Sequence, residues 1–119
     1  MDHTHEELTY ICSPLSAPTR AQMLANAAKA LSYMQEADLE FPGRAVAPHA
    51  YLPWLLDDTY PEQRSLALSF GKSLLKMCTR MVVYGPVISP GMVGEIEAAK
   101  QLGIEVLYRN MEAAEERGA

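Results

Sequence analysis

Met81-Val82-Val83-Tyr84-Gly85-Pro86-Val87-Ile88-Ser89-Pro90-Gly91-Met92-Val93-Gly94-Glu95 is the stretch on which the fold turns. Its first four residues are apolar or aromatic without a break, the composition of a buried strand. Gly85 to Gly91 is rich in Gly, Pro and Ser, which marks a loop. A helix is expected from about Met92 to Leu102, with Gly103 as its C-terminal stop and Ile104 to Tyr108 as the next strand. Strand, loop, helix, strand is one parallel crossover unit.

The same alternation runs upstream. Leu8-Thr9-Tyr10-Ile11-Cys12 reads as a strand ended by Ser13-Pro14. Thr19 and Gln22 have capping-box spacing and open a helix to about Glu40, whose apolar face is expected at Leu24, Ala27, Ala28, Leu31 and Met34. Phe41-Pro42-Gly43 stops it, and Arg44 to Ala47 is a short strand closed by Pro48. His49 to Tyr60 reads as a long loop with one helical turn. Thr59 and Glu62 form a second capping box around Pro61, opening a helix to about Cys78 with Leu66, Phe70, Leu74 and Met77 on one face. The expected fold is therefore α/β: a flavodoxin- or Rossmann-like three-layer sandwich with a parallel four-stranded sheet and helices on both faces.

Composition narrows the class. A chain of 119 residues with 49% hydrophobic and 21% charged residues is an ordinary globular mixture, one domain over 1–119 with peripheral ends at 1–7 and 110–119. Ten Lys and Arg against 15 Asp and Glu give a net charge of −5, which disfavours nucleic acid as a partner. No apolar run reaches the roughly 18–20 residues of a membrane span. Cys12 and Cys78 lie in apolar runs without CxxC spacing and are expected as free thiols, so a cytoplasmic location is expected. His3-x-His5 lies in a terminal stretch and predicts no metal site. Gly91-x-x-Gly94 follows the third strand rather than the first and is no dinucleotide fingerprint, so no cofactor is expected.

Ligands of such sheets bind at the carboxyl ends of the strands. That rule selects Ser13, Pro14, Leu15 and Ser16 after the first strand, with Arg20 beyond them. It selects His49, Tyr51 and Trp54 after the second, and Gly85, Ser89, Gly91 and Met92 after the third. Glu95 is expected near the first turn of its helix, where the dipole favours the ionised carboxylate. There it suits a nucleophile or an acceptor for sugar hydroxyls, and equally an acidic residue on a solvated helix start. Tyr51, Trp54 and Tyr60 suit stacking on a base, a lid over the core, or a subunit contact. His49 suits a ligand contact or a loop carbonyl, and Ser16 and Arg20 suit a turn and a solvated helix start.

Ser89-x-Gly91-x-x-x-Glu95 resembles the motif of nucleoside 2-deoxyribosyltransferases and deoxynucleoside monophosphate N-glycosidases. Tyr10-Ile11-Cys12-Ser13-Pro14-Leu15, Ala47-Pro48-His49-x-Tyr51 and Leu56-Asp57-Asp58 extend the resemblance from about Leu8 to Arg109. It is nearest to the small deoxyribosyltransferase-like proteins of phages and mobile elements. The resemblance implies that Glu95 attacks the anomeric carbon of a deoxynucleoside in an enzyme, and that Ser89 and the first loop, with Ser13, Ser16 and Arg20, hold a 5′-phosphate. It also implies a homo-oligomer, a dimer or larger, with loops completing the neighbour's cleft. The His49–Tyr60 segment is the expected interface.

One departure matters. The enzymes carry an aspartate on the helix before the third strand, where ungapped matching puts Gly71, and often another where this chain has Thr79-Arg80. Base departure needs a proton donor, and general acid help is typically worth 10²–10⁴ in rate. The leading expectation is therefore a binder of a nucleoside- or nucleotide-like small molecule without turnover, in one version sequestering an ADP-ribose-derived signalling nucleotide. The alternative is an N-glycosidase or deoxyribosyltransferase acting through Glu95, with Asp57, Asp58 or His49 replacing the acid. An interaction module with an empty cleft is the third.

Overall fold

The computed structural model describes residues 7–57 and 59–109. Four strands form one parallel sheet in the order β2-β1-β3-β4: β1 (Leu8–Cys12), β2 (Arg44–Val46), β3 (Arg80–Tyr84) and β4 (Glu105–Arg109). Helices α1 (Arg20–Glu40), α2 (Pro48–Leu55), α3 (Pro61–Leu75) and α4 (Pro90–Gln101) connect them. This is the expected doubly covered α/β sandwich. Among the described residues no helix is long and apolar enough to cross a membrane.

Period-two alternation divides the core between the two faces. Tyr10, Cys12, Met81 and Val83 point to the face covered by α4, with Met92, Ile96 and Ala99 packed on them. Ile11, Val82 and Tyr84 point the other way, toward α1 and α2. Register fixes the site-bearing strands side by side, with Tyr10 opposite Met81 and Cys12 opposite Val83.

Several local expectations need correction. The buried stripe of α1 is Ala27, Ala30 and Ala37, whereas Ala28 and Leu31 face outward. Small side chains let α1 approach the sheet and α2 closely, which a longer residue would prevent. Thr19 does cap α1, its hydroxyl accepting from the Gln22 N–H at 3.1 Å. The segment after β2 is a helix of eight residues rather than a loop. Pro48 starts it, and Pro53 removes one backbone bond. The capping box at Thr59 does not form: Tyr60 is the N-cap of α3, and the Thr59 hydroxyl donates to Asp57 Oδ1 at 2.7 Å.

The expected apolar face of α3 is also displaced. Leu66 and Phe70, and Met77 beyond the helix end, are half exposed or more, while Leu74 of the expected face does pack on the core, half-buried, and Leu75 is the one buried residue of this helix among those described. Ala67, Leu68, Gly71 and Leu75 instead form the side turned toward the sheet and α4, across a cavity. Helix α4 begins at Pro90, two residues earlier than expected, with Ser89 as N-cap. Asp58, His3, His5 and the tail from Asn110 lie outside the described residues.

Candidate functional site

A cavity of about 590 Å³ opens at the carboxyl ends of β1 and β3, walled by α2, α3 and the start of α4. Glu95 is part of its wall. The early start of α4 puts Glu95 on the sixth residue of the helix, in its second turn, so the dipole is not its main support. Two side chains of β1 hold it instead. Tyr10 Oη donates to Glu95 Oε2 at 2.9 Å, and Cys12 Sγ donates to Oε1 at 3.3 Å. Because Tyr10 and Cys12 are two residues apart on a strand, both reach the same carboxylate from one face.

Burial, and then the Glu95 charge, pushes the ionisation of both the Tyr10 hydroxyl and the Cys12 thiol well above the ordinary range. Both stay protonated and remain donors. The Cys12 thiol is therefore a hydrogen-bonding group here and a poor nucleophile. Cys78, the second buried free thiol, is pushed up to about 11 by burial alone.

His49, the second residue of α2, is oriented from behind. Its Nδ1–H donates to the Ser13 carbonyl at 3.0 Å, the only polarity a carbonyl oxygen allows. Nε2 then faces Glu95 Oε2 at 3.6 Å. This ring nitrogen is the one free to carry a proton toward the cavity or to accept one.

Ser13 contributes a second feature. Its hydroxyl is buried and has no hydrogen-bond partner among the described residues, although the residue lines the cavity. An unpaired buried hydroxyl costs about 1–3 kcal/mol, which a polar ligand atom would recover. The Ser89 hydroxyl accepts from the Met92 N–H at 3.3 Å and keeps its own proton to donate. Gly91 and Gly94 line the cavity, and a Cβ on either would meet nothing within 4 Å, so their missing side chains are cavity space.

Of the residues selected from sequence, Ser13, Leu15, Ser16, His49, Ser89, Gly91, Met92 and Glu95 line this cavity. Pro14 and Gly85 pack against each other: Gly85 has φ +120°, and a Cβ on it would lie 3.0 Å from Pro14 Cδ. They set the crossing of the two loops rather than the wall. The Arg20 guanidinium donates to the Pro53 carbonyl at 2.9 Å and ties α1 to α2. Tyr51 reaches Met34 of α1, 3.9 Å from its sulfur, and Trp54 is 64% exposed outside the cavity. Sequence reasoning missed Tyr10 and Cys12 as partners of Glu95, and missed the α3 wall at Arg64, Leu68 and Lys72.

Position 71 has a defined place. A Cβ on Gly71 would stand 3.4 Å from Tyr10 Oη, on the cavity side of α3. A side chain there would extend beside the Tyr10–Glu95 pair. Arg80, by contrast, donates to Thr9 Oγ1 at 3.1 Å and Glu7 at 3.0 Å, and sits over the Phe41 ring. It belongs to the amino-end edge of the sheet.

Fold and site together define an open-sheet α/β protein with a half-buried, donor-held carboxylate at its switch-point cleft. The chain belongs to the family described as Domain of unknown function (DUF7768), whose profile matches residues 7–109 and so takes in every residue of the cleft named above. None of the curated proteins matches the chain.

Proposed function

We propose that the cavity binds a nucleoside- or nucleotide-like small molecule and holds it without turnover. The observation that carries this reading is the Glu95 carboxylate, fixed by two donors that burial keeps protonated, beside the Ser13 hydroxyl, which has no partner among the described residues. A carboxylate keeps lone pairs for sugar hydroxyls, and each such charged hydrogen bond contributes about 1.5–3 kcal/mol. The Ser13 and Ser89 hydroxyls suit a phosphate or further hydroxyls, and the mainly apolar walls at Leu52, Pro53 and Leu68 suit a base. A cavity of about 590 Å³ has room for more than a mononucleotide, which favours an ADP-ribose-derived signalling nucleotide as the sequestered ligand.

What supports the absence of turnover is position 71. Glycine there offers no acid to the departing base, and the resemblance to deoxyribosyltransferases makes that position the acid's expected place.

One observation favours the N-glycosidase reading: His49 Nε2 lies 3.6 Å from the same carboxylate. In that chemistry Glu95 attacks the anomeric carbon and the glycosidic C–N bond breaks with its electrons passing to the base. The base takes a proton from the His49 imidazolium, and water then cleaves the glycosyl ester.

Calorimetry of the wild type and Glu95→Gln against deoxynucleosides, their monophosphates and ADP-ribose, with chromatography of the mixtures, tests both readings. The binder is expected to return its ligand intact and to lose one to two decades of affinity in Glu95→Gln. Base release that Glu95→Gln abolishes establishes the enzyme instead. No binding at sub-millimolar concentration and no base release defeats both.

A further inference from the structure

We propose that the groove between α3 and α4 is a second subsite of the cavity, for a sugar-like polyhydroxylated group carried by the nucleotide, which makes nucleoside diphosphate sugars the ligand class. This assignment rests on the cavity being a nucleotide site and names the residues that select the ligand's far end. The crossovers from β2 to β3 and from β3 to β4 run the same way along the sheet, and right-handed connections put both helices on one face. Leu74 and Leu75 of α3 accordingly share a core cluster with Met92, Ile96 and Ala99 of α4. The two helices lie side by side, both antiparallel to the strands.

Their facing sides do not close on each other. Small residues recur once per turn on both, Ala67 and Gly71 on α3 and Gly94 and Ala98 on α4, and all four line the cavity. A Cβ on Gly94 would meet nothing within 4 Å, and one on Gly71 only Tyr10 Oη at 3.4 Å. The space between the helices is therefore open. Its lining continues past Glu95 to Gln101, a rise of about 9 Å along α4.

The cavity thus has two parts of different chemistry. Met23, Leu52, Pro53 and Leu56, toward the carboxyl ends of the strands, make an apolar part that suits a base. Between α3 and α4 the polar lining is Lys72, Glu97 and Gln101, with Arg64 nearer the start of α3. The Lys72 ammonium donates, the Glu97 carboxylate accepts, and the Gln101 amide does both. A hydroxyl group also does both, so a polyhydroxylated ring can use all three. A phosphate only accepts, and Glu97 would oppose its charge. The groove therefore selects a neutral sugar and leaves the phosphates to the Ser13 and Ser89 hydroxyls.

Calorimetry of the full chain against AMP, ADP and ADP-ribose isolates the second sugar, because ADP-ribose is ADP with a ribose on its terminal phosphate. The wild type is expected to bind ADP-ribose about tenfold more tightly than ADP. Ala98→Leu fills the groove, and Glu97→Gln removes its accepting charge. Each is expected to cut ADP-ribose affinity about fivefold or more and to leave ADP affinity within about twofold, with unchanged circular dichroism. Glu97 is exposed, so its variant decides the question even if Ala98→Leu unfolds. If none of the three compounds binds at sub-millimolar concentration, the nucleotide reading fails and the subsite falls with it. If ADP binds and ADP-ribose gains nothing over it, the nucleotide reading stands and the subsite alone is overturned. A preference for ADP-ribose that survives either folded variant also overturns the assignment to the groove.

Discussion

Tyr10 Oη and Glu95 Oε2 meet at 2.9 Å although 85 residues separate them in the chain. That bond joins the middle of β1 to the second turn of α4 and fixes the carboxylate over the sheet. Its removal by Tyr10→Phe deletes one donor and leaves the ring in place. Hydrogen bonds to charged groups contribute about 1.5–3 kcal/mol, and solvent reaching the partly exposed carboxylate recovers some of it. Urea unfolding of Tyr10→Phe is expected to show a loss of about 1–2 kcal/mol. An unchanged midpoint would mean that the pair carries no stability.

Alkaline pH should weaken the fold. Burial raises Cys12 and Tyr10 strongly, Cys78 to about 11 and Tyr84 to about 12, against unfolded values of 9.0 for cysteine and 10.0 for tyrosine. Between the unfolded and folded values the native state binds more protons, so stability falls as pH rises. The contribution of these groups is complete below pH 9.0 and shrinks progressively above it. Melting temperatures recorded from pH 7 to 11 are expected to be level at first and to drop beyond about 9. A flat profile to pH 11 would contradict the buried, protonated state of these side chains.

Two glycines of the cleft should respond in opposite directions. Gly94 sits inside α4 with open space where a Cβ would go, so Gly94→Ala removes backbone entropy from the unfolded chain and is expected to stabilise by about 0.5–1 kcal/mol. Because Gly94 lines the cavity, the same methyl group should lower ligand affinity. Gly85 has φ +120° and a Cβ there would press on Pro14, so Gly85→Ala is expected to destabilise by about 1–3 kcal/mol. Thermal melts of the two variants check the pair of signs.

The strands were legible because their signal is local. β1 coincides with the run of apolar and β-branched residues at Leu8–Cys12, and β3 differs from the expected Met81–Tyr84 by one residue. Helix α2 was hidden by its prolines, which read as loop punctuation although Pro48 occupies the first turn, where no N–H is required. The orientation of α3 was hidden for a different reason. Its apolar residues cover two sides, and only the position of the cavity decides that Ala67 and Gly71, rather than Phe70, turn inward. In the site, the strand-end rule located His49, Ser89 and Glu95. The partners of Glu95 were not legible, because pairing Tyr10 with α4 depends on sheet register and helix start together.

Gly71→Asp separates a cleft that has lost one catalytic group from a cleft built for binding. A Cβ at position 71 meets Tyr10 Oη at 3.4 Å, an ordinary contact distance, so the substitution is compatible with the backbone. Asp costs roughly as much as other polar residues in a helix and less than Gly, so the fold should survive. The new carboxyl group would stand on the cavity side of α3, near Tyr10 and within the reach of a bound ligand's base. A second carboxyl group beside the Tyr10–Glu95 pair disfavours two simultaneous charges, which favours the protonated form that an acid for a departing base needs. If only that acid separates the cleft from glycosidase chemistry, Gly71→Asp should release base from deoxynucleoside monophosphates at a rate about 10²–10⁴ above the wild type. Gly71→Asn is the control: it fills the same space, supplies no comparable acid and should leave the rate where it was. Base release by Gly71→Asp that is absent from the double variant with Glu95→Gln would assign the nucleophile and the acid in one experiment. No release from Gly71→Asp, with ligand affinity retained, would mean that the cleft holds its ligand away from the geometry of attack.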